Sequence, residues 1–284
     1  MFRRGFDMVS AEFFLLRCRM ATWVLLTVWT LLGLMFGYIV PYVMYRSDDG
    51  RPNMLEAMLP EQITQTLLDG FPFFGGAIAL ILGVLAVGSE FGWDTLKTLF
   101  TQRPGRGVVF TAKMAALAIM LVPFVVPLFA SGAIAGVMIA RLEGVDIFWP
   151  DAMTVIQGML AGWLVLAVWA SVGVLLAVAT RGTSLAIGFG ILYTLVIEGL
   201  ISALAGTVSL LEPIVDLFLR ANTYSLVRPL GGAGSGTGDS AATDGPGAFS
   251  GPYVDELQAL VVLVAYMVVF IGVSAWLLRR RDVA

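Results

Sequence analysis

Long runs of residues without a charged side chain most limit what this chain can fold into. Five such runs reach the ~20 residues that a helix needs to cross ~30 Å of hydrocarbon, and a sixth is interrupted only by Glu198. A mean hydropathy of +0.89 and a charged fraction of 13% exclude an ordinary soluble domain. The sequence therefore predicts an all-α integral membrane fold in one transmembrane domain, residues 1–284, with spans at about 21–45, 70–89, 114–140, 152–180, 183–210 and 257–278.

The distribution of basic residues predicts how these six spans are oriented. An even number of spans leaves both termini on one side, and that side carries twelve of the 17 lysines and arginines. Acidic residues are distributed in the opposite way, so the formal charges are +7 on the terminal side, −9 on the other side and −1 for Glu198. Lysine and arginine concentrate on the cytoplasmic side of a membrane. We therefore expect a multi-pass protein of the plasma (inner) membrane with both termini in the cytoplasm.

The first 20 residues predict an interfacial helix that precedes the first span. Apolar side chains recur there at three- or four-residue steps, at Phe2, Phe6, Val9, Phe13 and Leu16, while most charged residues lie off this line. The alternative is a simple basic flank that anchors the first span. The apolar spacing favours the in-plane helix.

Several segments on the side opposite to the termini have sequence patterns that predict local structure. Residues 53–68 predict a short surface helix, residues 213–226 predict short outer helices between spans five and six, and residues 231–247 predict a flexible outer loop. Pro123 and Pro127 are expected to kink the third span. Such prolines are tolerated in membrane helices where neighbouring groups satisfy the freed carbonyls.

The side-chain inventory limits the chemistry that this chain can perform. It has no histidine, which excludes Ser-His and Cys-His catalysis and imidazole metal sites, and its single cysteine, Cys18, allows no disulfide framework. Its two lysines, Lys97 and Lys113, do not follow glycine, so the chain has no P-loop of its own. We therefore expect no enzyme activity, no catalytic residue, no metal and no cofactor in this chain.

The segment between the second and third spans predicts an amphipathic helix. Trp93, Leu96 and Phe100 form one apolar stripe, Asp94 and Lys97 have ion-pair spacing, and the Pro104-Gly105 pair ends the helix. Such a helix either rests on lipid headgroups or fills a groove on a cytoplasmic partner. The residues alone favour neither possibility.

The residues around this helix resemble a known family. The run Glu90-Phe91, Thr95-Leu96-Lys97, Leu99-Phe100-Thr101, Arg106 and Lys113 is similar to the loop between spans two and three of ABC-2 type transporter permeases. The ending Arg279-Arg280-Arg281 and the N-terminal amphipathic helix, which resembles the family's elbow helix, extend the resemblance over the chain. Asp94 stands where the family usually has glycine, and Pro104 comes one residue later than the family's proline.

This resemblance implies a permease subunit of an ATP-binding cassette transporter, and specifically an exporter. Its partners would be a P-loop ATPase subunit that binds ATP and Mg²⁺, a second permease subunit (the same or a related chain) and the lipid bilayer, with no nucleic acid. The loop would be the coupling helix that docks on the ATPase. The implied coupling residues are Glu90, Trp93, Thr95, Leu96, Lys97, Leu99, Phe100 and Arg106.

Glu198 supports other interpretations. It lies past the middle of the fifth predicted span, where a carboxylate is costly unless it is protonated, paired or hydrated. It either lines a substrate path or subunit interface, or it marks the end of the helix. A proton-coupled secondary transporter would use Glu198 as its proton carrier. A membrane scaffold or sensor would instead use the amphipathic helix to bind a cytoplasmic regulator.

Overall fold

The computed structural model describes residues 2–47, 53–92, 106–197, 217–227, 229 and 255–280, and the regular secondary structure in these ranges is helical. We number the helices in chain order. They are α1 (Phe2–Cys18), α2 (Met20–Arg46, with a π-turn at Met35–Ile39), α3 (Asn53–Met58), α4 (Ile63–Leu68), α5 (Gly76–Gly92, preceded by a π-turn at Phe71–Gly75), α6 (Arg106–Glu143), α7 (Ala152–Thr180), α8 (Ser184–Ile191), α9 (Leu219–Val227) and α10 (Glu256–Arg280).

Five of the described helices are long and apolar enough to cross a membrane, namely α2, α5 with its preceding π-turn, α6, α7 and α10. This result confirms the all-α membrane fold. The predicted fifth span is described only through α8 and a π-turn at Leu192–Ile197. Its remainder, which includes Glu198, lies outside the described residues, as does the predicted loop 231–247. The number of six spans therefore stays a prediction.

Helices α5 and α7 are the most buried of the five spans, and two glycines let them pack backbone against backbone. A Cβ atom at Gly83 would lie 2.1 Å from the carbonyl oxygen of Ala170, and one at Gly173 would lie 2.1 Å from that of Leu80. Small residues allow such close approach between membrane helices, where van der Waals contact replaces the hydrophobic effect as the main attraction. The pair therefore forms the centre of the bundle.

Helix α6 continues through both of its prolines, Pro123 and Pro127. Two tryptophans on neighbouring spans donate hydrogen bonds to carbonyls of this segment. The indole Nε1 of Trp29 in α2 lies 2.9 Å from the Phe124 oxygen, and that of Trp163 in α7 lies 3.0 Å from the Ala118 oxygen. These donors therefore bond next to the two carbonyls that the prolines free, those of Ile119 and Pro123, and the expected kink stays a prediction.

Residues 53–68 do not form the expected surface helix. They fold as α3, a 3₁₀ turn at Pro60–Gln62 and α4, and many of their side chains are buried: Met58, Pro60, Ile63, Thr64, Leu67 and Leu68. Glycines on two spans make the room for them. Leu67 contacts α6 at Gly132, and Thr64 contacts α7 at Gly158. We call residues 53–69 the outer segment, because it fills the end of the bundle opposite to α1.

Helix α1 packs along the first turns of α6, and its Leu16 is buried in the hydrophobic core. At the opposite end, α9 packs against α10 and α7. Its polar residues Asn222, Thr223 and Ser225 are fully or almost fully buried, and each donates to a backbone carbonyl one turn earlier. Such bonds satisfy side-chain donors where water is scarce.

Alanine substitutions test the glycine contact between α5 and α7. We expect Gly83→Ala and Gly173→Ala to destabilise the protein by about 1–3 kcal/mol, since the new methyl group would clash with backbone atoms that cannot move aside. Thermal unfolding in detergent measures this effect.

Two other glycines provide matched controls. Gly188 and Gly272 have open space where a Cβ would stand. Alanine there should leave stability unchanged or raise it by up to about 1 kcal/mol, because glycine is a poor helix former. Equal effects at all four positions would contradict the backbone contact.

Candidate functional site

The candidate site is a buried group of charges at the inner end of the bundle, which we define as the end that carries α1, the last turn of α5 and the first turns of α6. The Lys113 Nζ atom of α6 donates to Glu12 Oε2 of α1 at 2.6 Å and also to Glu90 Oε1 of α5. The exposed side-chain fractions are 5% for Lys113, 11% for Glu12 and 9% for Glu90. One ammonium group therefore joins three helices out of contact with most water.

A fourth charged residue completes this group. Arg19, at the junction of α1 and α2, donates from its guanidinium to the backbone carbonyl of Leu85 in α5 and interacts electrostatically with Glu90. Two acids and two bases make the group formally neutral. We call these four residues, Glu12, Arg19, Glu90 and Lys113, the inner charge cluster.

Local sequence explains why these side chains meet. Lys113 lies two turns after the start of α6, on the same buried face as Phe110 and Leu117. Glu12 lies one turn before the buried Leu16 on the face of α1 that packs against α6. Because the lysine stem is apolar, it can follow the helix surface while its ammonium group reaches both carboxylates.

The energetics of the cluster are those of a buried ion pair. Removing one charge from such a group leaves the others desolvated and uncompensated, which typically costs about 3–5 kcal/mol. Replacing the whole group by neutral residues of similar size is often close to neutral in stability. The cluster therefore adds little net stability, although each of its charges depends on the others.

The cluster borders the segment predicted to couple the chain to a partner. Glu90 lies in the last turn of α5, just before residues 93–105. Lys113 lies two turns into α6, which begins at Arg106 just after them. The residues Trp93, Thr95, Leu96, Lys97, Leu99 and Phe100 lie outside the described residues, and so does Glu198. Of the predicted site residues, the structure therefore describes the side chain of Glu90 and the backbone of Arg106.

Sequence reasoning missed the part that α1 plays in this site. In the charge distribution Glu12 is only one of the acids on the terminal side, although it stands beside Phe13 within an otherwise apolar stripe of the helix. A lone acid on an apolar face indicates a buried partner. Lys113 appeared in the family resemblance, but nothing in the sequence spacing indicated that it binds both Glu12 and Glu90.

A second polar contact links α2 to α6 at the outer end. The Tyr42 hydroxyl donates to Glu143 Oε1 at 2.9 Å, and Arg46 forms an ion pair with the same carboxylate at 3.4 Å. The Arg46 side chain is 62% exposed. Within the described ranges, no group of three or more His, Cys, Asp or Glu residues could hold a metal ion. Neither charged site has an arrangement typical of catalysis.

These features define a multi-pass helical membrane protein with a buried charge cluster at one end of its helix bundle. A family model described as "ABC-2 family transporter protein" matches residues 12–283. The chain therefore belongs to the ABC-2 transporter family, and it is a transmembrane, non-catalytic permease component of an ABC transporter. No curated protein matches the chain.

Substitution of Lys113 tests whether the inner charge cluster is a single electrostatic unit. We expect Lys113→Met to destabilise the protein by about 3–5 kcal/mol, because it leaves two carboxylates buried without their ammonium partner. A triple variant that adds Glu12→Gln and Glu90→Gln should recover most of this loss, because the remaining charge, on Arg19, is only partly buried and keeps its bond to the Leu85 carbonyl. Thermal unfolding of the purified protein measures both effects.

The exposed pair at the outer end is the matched control. Arg46→Met removes a charge from an ion pair with Glu143 that is largely open on the arginine side, so it should cost less than about 1 kcal/mol. A triple variant no more stable than Lys113→Met would show that the cluster does not act through charge.

Proposed function

We propose that this chain forms the substrate path of an ABC exporter and couples it to ATP hydrolysis in a separate P-loop ATPase subunit. ATP and Mg²⁺ would bind to that subunit, and a second permease subunit, identical or related, would complete the path. The segment that contains Leu96 and Phe100 would dock on the ATPase with its apolar stripe. The chain would contribute the path and the mechanical link, with no bond-breaking step of its own.

The inner charge cluster is the observation that carries this proposal. Lys113 fastens the two helices that flank the proposed coupling segment, and through Glu12 it also fastens α1. A movement of the segment would therefore reach α1, α5 and α6 together. Without such a fastening, a push from the ATPase would separate the flanking helices locally instead of shifting them as one body.

Co-expression with a candidate P-loop ATPase tests this docking role. We expect the ATPase to co-purify with the wild-type chain, and Leu96→Asp or Phe100→Asp to weaken that association at least tenfold. The reason is that a buried aspartate in an apolar interface costs more than the ~1.4 kcal/mol that corresponds to a tenfold change. Binding of the purified subunits and the ATPase rate of the complex are the measurements.

The matched control for docking lies in the loop between α6 and α7. Phe148 is 64% exposed at the outer end, so Phe148→Asp makes the same chemical change away from the proposed interface. It should leave binding unchanged. Co-purification of the ATPase with both aspartate variants would overturn the docking role. Transport by the isolated chain in a proton gradient would favour a secondary transporter, and capture of a regulator without ATPase activity would favour a scaffold.

Single-cysteine labelling tests the proposed orientation. In a background with Cys18→Ser, a cysteine replacing the exposed Ser10 of α1 should react with a membrane-impermeant maleimide only after the membrane is opened. A cysteine replacing Phe148 should react in intact cells, since the positive-inside rule places that loop outside. The reverse pattern would contradict cytoplasmic termini.

A further inference from the structure

We propose that α6 contains a hinge at Pro123–Pro127, held by the indole groups of Trp29 and Trp163, and that this hinge carries movement from the inner charge cluster to the outer segment. The inference rests on the coupling role proposed above. It adds a route by which an event at the inner end reaches the outer end of the bundle.

The prolines weaken α6 at one place. A proline in a helix interior has no N–H group to donate to the carbonyl four residues earlier, and its ring crowds that carbonyl. Pro123 therefore leaves the Ile119 carbonyl without its helical donor, and Pro127 does the same for the carbonyl of Pro123. Two missing bonds within successive turns make this the natural bending point of the helix.

The two indole groups bind next to the weakened positions. Trp163 donates to Ala118, one residue before Ile119, and Trp29 donates to Phe124, one residue after Pro123. The Trp29 ring is fully buried and packs edge-on against Phe71 at 5.0 Å between ring centres. The indoles thus tie the proline segment to α2 and α7 and select one geometry of the hinge.

The two halves of α6 are attached to different parts of the protein. The inner half carries Lys113 and, through it, α1 and α5. The outer half carries Gly132 and Gly136, against which the outer segment packs with the Leu67 side chain and the backbone at Met58 and Pro60. A bend between these halves would move the surface at Gly132 and Gly136, on which the outer segment packs, relative to the inner charge cluster.

The expected movement is large compared with the contacts it would disturb. Gly136 lies about 15 Å beyond the proline segment at 1.5 Å per residue. A bend of about 20° would therefore displace it by about 5 Å. The packing of the outer segment on Gly132 and Gly136 is close enough that such a shift would separate the surfaces. We infer that the outer segment moves when the hinge bends.

Hydrogen exchange of the purified permease tests directly whether the two indole bonds hold the hinge. Trp29→Phe and Trp163→Phe keep an aromatic ring but remove the donor, so each should accelerate amide exchange in residues 114–130 by about two- to tenfold. Trp276→Phe is the matched control, because Trp276 lies half-exposed on α10 beside Arg280. It should leave exchange in residues 114–130 unchanged. Equal exchange in the three variants would overturn the claim that the indole bonds hold the hinge.

The complex with the ATPase subunit tests transmission. In the wild-type complex, nucleotide should change exchange both at residues 106–114 and in the outer segment. A variant with Pro123→Ala and Pro127→Ala restores both backbone donors, so it should keep the inner change and lose most of the outer one. An inner change without an outer change in the wild type, or an outer change that survives in the proline variant, would overturn the hinge and leave the coupling role intact.

A different result identifies failure of the coupling role itself. If nucleotide changes exchange at neither end of the wild-type complex, both the coupling role and transmission through the hinge are wrong. Should the double proline variant fail to fold, Trp29→Phe and Trp163→Phe in the same complex provide the test. They should alter the outer response relative to Trp276→Phe, and an unaltered response would count against the hinge.

Discussion

A polar group that is buried away from water must find its bonding partners within the protein, and the contacts that join helices at the inner charge cluster follow from this constraint. Lys113 is tolerated in the buried interior because two carboxylates surround its ammonium group. Trp29 and Trp163 donate to the α6 carbonyls of Phe124 and Ala118, each one residue away from a carbonyl that a proline leaves without its helical donor. In both places the bonding partner comes from another helix, so the bond also constrains how the helices pack.

Much of the fold could be predicted from the sequence because the constraint acts on local composition. A span must lack charges over its whole length, so the gaps between charges locate it without knowledge of its neighbours. The outer segment shows the limit of this reasoning. Its mixed polarity suggested a surface helix, but Leu67 and Thr64 are buried because glycines of α6 and α7 stand opposite them. That complementarity depends on how three helices meet, which local composition does not encode.

Part of the candidate site could likewise be predicted from local sequence, and part depends on how the helices pack. The sequence of residues 93–101 has the local periodicity that predicts an amphipathic helix, and the family resemblance added Glu90, Arg106 and Lys113 as spaced positions. The link between Lys113 and Glu12 joins residues about 100 positions apart, and it arises only when α1 packs on α6. A charged residue on an apolar helix face predicts that a partner exists, but it does not identify the partner.

The contacts between helices also indicate which parts of the bundle are stiff and which can change shape. Helices α5 and α7 touch through backbone atoms at Gly83 and Gly173, so any relative movement would lose many contacts at once. Helix α6 has fewer such constraints between Lys113 and Gly132, since two of its internal hydrogen bonds are missing there and side-chain donors stand close by. Side-chain bonds can break and re-form singly, whereas a backbone-to-backbone contact cannot. A transporter that must change shape without losing its fold is therefore expected to keep α5 and α7 together and to bend α6.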